Sequence, residues 1–287
     1  MNENRETKLS NGVMMPRLIQ GLPLIMKLAQ ISKTELINIV HNSIEVGVKG
    51  FDTSHDYGKS EEYLKDAFIN LRKSGVERED FFITSKIGNA QQYEGNIEKY
   101  VDDSLKTMGL ECLDLMLLHW PVPELYIKNW EKLEKVYAKG KVRAIGIANA
   151  RVRHIQLLLN TNVEVTPHVI QTEIHPFNTC KLLRDYCASK NISLQACSSL
   201  CMMIDKVKYN PLLNEIAAKY EKSIAQVMLR WLLQNNISPV FRAFKKEHVA
   251  EMSKLFDFNI DAEDMGAIAN LNENFRYHPE SINCSGF

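Results

Sequence analysis

Short apolar runs of strand length alternate along this chain with stretches whose apolar residues recur at helical spacing. The runs fall at residues 50–52, 81–85, 112–118, 142–147, 169–172, 194–197 and 239–241, with a shorter one near 18–20. Helical patterning covers 61–73, 96–108, 125–139, 152–159, 179–190, 212–220 and 223–235. The first helix announces both of its ends: Ser32 and Glu35 have the spacing of a capping box, and Gly47 is placed to stop it. Near the N-terminus, Lys8-Leu9-Ser10 and Val13-Met14-Met15 flank Asn11-Gly12, a dipeptide suited to the positive-φ positions of a tight hairpin turn.

This rhythm amounts to about eight β/α units with near-continuous apolar strands, as expected where helices cover a parallel sheet. The expected fold class is α/β: a (β/α)8 TIM-type barrel with an N-terminal β-hairpin. A barrel of this kind typically takes about 250 residues, so one domain spanning 1–287 accounts for the chain. No Pro/Gly/Ser linker, charge block or low-complexity segment offers a place to divide it. The alternative, an open doubly wound sheet, is disfavoured because the first β/α turn lacks G-x-G-x-x-G.

Barrels of this type do their chemistry at the C-terminal ends of the strands. Asp52 closes the second run, with Tyr57 five residues on; Lys86 closes the third; His119 closes the fourth, just before Trp120-Pro121. Each has a plain structural reading: a turn former, a packed aromatic, a lysine reaching water, a hydrogen-bonded core histidine. Their coincidence on one rim favours a joint task. A tyrosine ordinarily titrates near 10, and a neighbouring ammonium stabilises its phenolate. Lys86 is expected to supply that ammonium and Asp52 to hold it charged, while His119 donates a hydrogen bond to a substrate oxygen and orients it. Together these groups suit a general acid that protonates a carbonyl oxygen while another group delivers hydride.

Composition narrows the partners. With 35 Lys plus Arg against 35 Asp plus Glu there is no global field to draw the chain onto nucleic acid or an anionic membrane. The segment 1–10 lacks the apolar core of a signal peptide, and no stretch approaches a membrane span. The six cysteines form no CxxC pair and sit largely in apolar runs, so they read as reduced thiols in a cytoplasmic protein. No cluster of strand-end ligands suggests a metal, which disfavours a metal-dependent barrel hydrolase using His119 and Asp52.

Several motifs resemble those of the aldo-keto reductase family. Asp52-Thr53-Ser54-His55-Asp56-Tyr57-Gly58 is similar to the family's D-T-A-x-x-Y-G signature, and Ser104-Leu105-Lys106-Thr107-Met108-Gly109-Leu110-Glu111-Cys112-Leu113-Asp114-Leu115 to its S-L-x-x-L-G-x-x-Y-x-D-L segment. Phe82-Ile83-Thr84-Ser85-Lys86, Leu118-His119-Trp120-Pro121 and Gly140-Lys141-Val142-Arg143-Ala144-Ile145-Gly146-Ile147 continue the match in order. The resemblance implies a (β/α)8 barrel that uses NADPH, or less often NADH, to reduce aldehydes and ketones. Its catalytic set maps onto Asp52, Tyr57, Lys86 and His119. It further implies that Asn149 and Gln171 hold the nicotinamide carboxamide, that Ser198 approaches the pyrophosphate, and that Gly21 and Glu251 belong to the cofactor site.

The departures from the family carry information. Gly21-Leu22-Pro23 stands where Gly-Thr-Trp or Gly-Thr-Tyr is usual, Ala148 replaces a serine, and Cys197 occupies the place of the aromatic that stacks on the nicotinamide. At the adenosine end, Arg242 with Lys245 or Lys246 could meet a 2′-phosphate, a role for which guanidinium is well shaped. His248 replaces an arginine there and is only partly charged near neutrality. The short loop 121–124 and the short tail after Asn274 imply an open, shallow substrate site, lined by Trp120, Pro23, Met202 and tail residues. A small carbonyl compound is the expected partner, met by a monomer or weak dimer. The competing reading is a non-catalytic binding or regulatory protein with an altered nicotinamide pocket.

Overall fold

The apolar runs close on themselves. In the computed structural model, described over residues 5–22, 31–279 and 283–284, eight parallel strands form a closed barrel. Two hairpin strands, β1 (Glu6–Lys8) and β2 (Met14–Pro16), precede the barrel strands β3 (Ile19–Gly21), β4 (Gly50–Asp52), β5 (Phe82–Ile87), β6 (Leu115–Leu118), β7 (Ile145–Ala148), β8 (Val169–Glu173), β9 (Ser193–Cys197) and β10 (Ile237–Phe241). Neighbours in sequence are neighbours in the sheet, and β10 returns to pair with β3, Val240 opposite Ile19.

The two faces of each strand explain why the runs lack alternation. In β6, Leu115 and Leu117 join Phe82, Ala144, Ala148 and Val169 in the lumen, while Met116 and Leu118 pack with the surrounding helices. Both faces are dry, so both are apolar. The hairpin contributes to the lumen as well: Leu9 and Met15 pack into it, and the Gln195 side chain donates to Met15 Sδ at 3.2 Å. The hairpin thus stops one end of the barrel. Its antiparallel pairing runs from Glu6 opposite Pro16 to Lys8 opposite Met14, farther from the turn on both sides than the sequence suggests, with Gly12 at φ +90° in the turn.

Gly146 on β7 is required by close approach. A Cβ there would lie 2.2 Å from the Val169 carbonyl oxygen and 2.7 Å from Leu117 Cδ2. The first helix runs from Lys33 to Glu45 with the anticipated capping box: Ser32 N–H donates to Glu35 Oε2 at 2.7 Å and Glu35 N–H to Ser32 Oγ at 3.2 Å. A short helix at Asn89–Glu94, directly after β5, was not legible in the sequence pattern; it places Asn89 and Ala90 at the mouth of the barrel. All six cysteines are free thiols. No helix among the described residues is long and apolar enough to cross a membrane.

Candidate active site

The C-terminal ends of the strands enclose a cavity of about 740 Å³ whose lining includes Asp52, Tyr57 and His119. Asp52 ends β4, and Lys86 reaches it from one residue before the end of β5. Lys86 Nζ donates to Asp52 Oδ1 at 2.5 Å and to the Thr53 carbonyl at 2.8 Å. Both side chains are almost fully buried, where an unpaired charge would be costly. Burial works against the Lys86 charge, but the Asp52 carboxylate, Tyr57 and the hydrogen bond to Asp52 outweigh it and hold the ammonium above the ordinary lysine range. The second Asp52 oxygen accepts from Gln171 Nε2 at 2.8 Å.

Tyr57 lies over this pair. Its ring centroid is 5.1 Å from Lys86 Nζ, and its ring meets that of His119 edge-on at 5.9 Å. The expected grouping of Asp52, Tyr57, Lys86 and His119 is therefore present as one contact network. His119 sits just past β6, with its carbonyl accepting from Asn149 Nδ2 at 3.0 Å. Its ring Nδ1 faces Asp56 Oδ2 at 3.2 Å and Ser54 Oγ at 3.4 Å. Burial pushes the imidazole below the ordinary histidine range; a hydrogen bond to the Asp56 carboxylate opposes this and the Lys86 charge adds to it.

Several of the residues assigned to a cofactor gather at the same cavity. Asn149, Gln171, Cys197, Ser198 and Arg242 all line it. Asn149 and Ser198 adopt the left-handed backbone at φ 62° and 47°, which turns the chain sharply at the ends of β7 and β9. Gln171 uses its nitrogen on Asp52 and on Gln195 Oε1, both at 2.8 Å. Asn149 uses one amide hydrogen on His119. Their carbonyl oxygens remain for a ligand that presents an N–H₂. Gly21 ends β3 with no room to spare: a Cβ would meet Val240 Cγ1 at 3.2 Å and Arg242 Cγ at 3.3 Å. The Cys197 thiol is pushed up to about 12 by burial and the Glu173 carboxylate, so it stays protonated.

The residues assigned to the adenosine end divide between the cavity wall and the helix Lys246–Met252. Arg242 turns inward, its Cζ 5.8 Å from the Tyr57 ring centroid, while Lys246 points outward to Glu45 at 3.6 Å. His248 and Glu251 ride on the helix Lys246–Met252 and are not part of the cavity lining. Glu251 instead accepts from Ser223 Oγ at 3.0 Å, beside the start of the helix Ile224–Gln234.

On the substrate side, Trp120 and Met202 line the cavity, and Pro23 lies outside the described residues. The tail does more than expected. Cys284 packs on Trp120 and Val122, and the Asn283 carbonyl accepts from Asn89 Nδ2 at 2.9 Å. Glu173, buried at the end of β8, anchors the tail by accepting from the N–H groups of Tyr277 at 2.5 Å and His278 at 3.0 Å. Sequence reasoning missed Glu173 and Asp56, both adjacent to residues it selected.

A rim carrying a buried lysine–aspartate pair beneath a tyrosine, beside a histidine, holds groups that can move a proton to or from an oxygen. The Aldo/keto reductase family model matches residues 18–273, and the chain belongs to that family and is an oxidoreductase. It is 40% identical over 273 residues to the glyoxal reductase of Bacillus subtilis (strain 168), covering 95% of this chain and 94% of the relative. It is 31% identical over 275 residues to a methylglyoxal reductase of Escherichia coli (strain K12), covering 95% of each. Among solved structures, an aldo-keto reductase of Bombyx mori in complex with NADP superimposes with a TM-score of 0.90 at 27% identity, over 98% of this chain and 97% of that one.

Proposed function

We propose that this enzyme reduces a small aldehyde or ketone to the alcohol with NADPH, or with NADH as second choice, using Tyr57 as the proton donor. The observation that carries the reading is the Lys86 ammonium, fixed by Asp52 at 2.5 Å and 5.1 Å from the Tyr57 ring. As the Tyr57 proton leaves, that charge stabilises the phenolate, and Asp52 keeps Lys86 from moving or losing its own proton. His119 and Trp120 confine the substrate so that its oxygen faces Tyr57.

The donor set fits a nicotinamide cofactor. Asn149 and Gln171 each retain a carbonyl oxygen for the carboxamide, Ser198 offers a hydroxyl on a tight turn, and Arg242 supplies a cation for phosphate. When bound, the cofactor supplies a hydride to the carbonyl carbon. Cys197 on the cavity wall favours the competing reading of a non-catalytic binding protein, whereas Leu22 is buried in the core and away from the cavity; the intact Asp52–Lys86–Tyr57–His119 network favours the enzyme. The glyoxal and methylglyoxal reductases among its relatives support small dicarbonyls as the substrate class. Free thiols suit a reducing cytoplasm, and a single chain supplies every group named, so a monomer suffices.

Titration with NADPH and NADH, followed by a panel of small carbonyl compounds, tests the reading. Saturable NADPH binding with turnover of glyoxal or methylglyoxal is expected. No binding at millimolar nucleotide would overturn it in favour of the non-catalytic protein.

A further inference from the structure

One amide of the cavity wall has its direction set from inside the barrel. Gln171 Nε2 lies 2.8 Å from Asp52 Oδ2 and 2.8 Å from Gln195 Oε1. A carboxylate can only accept, so the nitrogen of Gln171, and not its oxygen, faces Asp52. Both hydrogens of that nitrogen are then spent, one on each acceptor. Gln195 in turn presents its oxygen to Gln171, and its nitrogen points to Met15 Sδ at 3.2 Å. The orientation of each amide thus follows from the one before it, from Asp52 through Gln171 on β8 and Gln195 on β9 to the hairpin plug. All four side chains are buried, and the pairing of β8 with β9 sets Gln171 opposite Gln195.

The second bond does what the first cannot. Held by Asp52 alone, the Gln171 amide would pivot about that contact; the bond to Gln195 fixes its plane. Gln171 Oε1, which has no partner among the described residues, therefore meets the cavity in one direction and as an acceptor. Few other groups at the ends of these strands orient a flat amide. Ala148 has no hydroxyl, and Asn149 spends one N–H on the His119 carbonyl.

We propose that Gln195 is a positioning residue that turns the Gln171 carbonyl toward the cofactor, so that the site selects nicotinamide nucleotides by the N–H₂ of their carboxamide. This rests on the reading of the protein as a nicotinamide-dependent reductase. Gln195 is fully buried and is not part of the cavity lining, so it acts only through Gln171. An acceptor left unpaired on binding costs free energy. A cofactor with a methyl ketone in place of the carboxamide is therefore penalised, and only while that acceptor is held in place.

Calorimetric titration of the whole protein with NADP⁺ and with its 3-acetylpyridine analogue tests this without turnover. The two nucleotides differ only by N–H₂ against methyl. Wild type is expected to bind NADP⁺ about tenfold more tightly than the analogue. Gln195→Leu and Gln195→Met remove the amide acceptor at nearly unchanged volume. In both, NADP⁺ affinity is expected to fall about three- to tenfold, the range of one net hydrogen bond, with analogue affinity within about twofold of wild type. Either variant carries the test should the other not fold. Gln195→Glu keeps an acceptor oxygen and is expected to keep the wild-type ratio, although a carboxyl in the lumen should lower the urea midpoint. A merely structural role would give the reverse order, with the glutamate variant the most affected. That reverse order, equal affinity of wild type for both nucleotides, or a wild-type ratio in the leucine or methionine variant would overturn the inference and leave the reductase reading standing. Failure of wild type to bind either nucleotide would overturn that reading and this inference with it.

Discussion

Lys86 and Asp52 form a buried ion pair, Nζ to Oδ1 at 2.5 Å, with neither side chain more than 5% exposed. The pair spans β4 and β5 and contributes to folding as well as to the charge under Tyr57. Removing one partner leaves an uncompensated charge in the barrel, at a cost of about 3–5 kcal/mol. Lys86→Met and Asp52→Asn should each lower the urea midpoint, and the double variant should be more stable than Lys86→Met. Additive losses in the double variant would show that the two charges are not coupled.

Much of this site was legible because strand ends are legible. Asp52, Lys86 and His119 each follow an apolar run, and the barrel rule places such residues on one rim. Asp56 was not, because its partner is chosen by the loop fold and by an absence, the missing side chain of Gly88. Glu173 lies one residue past the run 169–172 and carries no signal of its own; only the fold brings residues 277–278 back to it. His248 and Glu251 stand apart from the cavity lining because the helix Lys246–Met252 presents Val249 and Met252 to the core and carries Glu251 toward Ser223. Run boundaries also moved: Leu113 makes only an isolated bridge to Val142, because the next residue, Asp114, turns to bind Arg78 and Arg143.

Gly146 should tolerate no side chain. Its Cβ would strike the Val169 backbone oxygen at 2.2 Å, and backbone in a barrel cannot step aside. Gly146→Ala is expected to cost about 1–3 kcal/mol or more, read as a lowered urea midpoint; an unchanged midpoint would mean that β7 and β8 part more easily than their packing indicates.

Acid should weaken the fold through His154. Its ring is pushed down to about 4, chiefly by burial and then by Arg153 and Arg151, and its Nδ1 accepts from Arg151 N–H at 3.1 Å. The folded value lies below the unfolded one of about 6.5, so the neutral ring's contribution is complete above pH 6.5 and lost as pH falls toward 4. From 6.5 to 4 this amounts to ~3 kcal/mol. His154→Gln keeps an acceptor for the helix start and should lose less stability than wild type between pH 7 and 4.5 in urea titrations. Parallel loss in both proteins would assign the acid sensitivity elsewhere.

Cys197 supplies no ring face at the cavity wall. Cys197→Tyr should tighten NADPH binding several-fold, since an aromatic partner adds about 0.5–1.5 kcal/mol beyond area burial. Calorimetry showing equal or weaker binding would indicate that another group already covers that face.

The role of Tyr57 is tested most directly by Tyr57→Phe, assayed for NADPH-dependent reduction of glyoxal and methylglyoxal alongside NADPH titration. The phenyl ring keeps the packing against His119 and removes only the hydroxyl that carries the proton. Turnover is expected to fall by about 10²–10⁴-fold with NADPH affinity within a few-fold of wild type; retention of most of the turnover would contradict the assignment of Tyr57 as the proton donor.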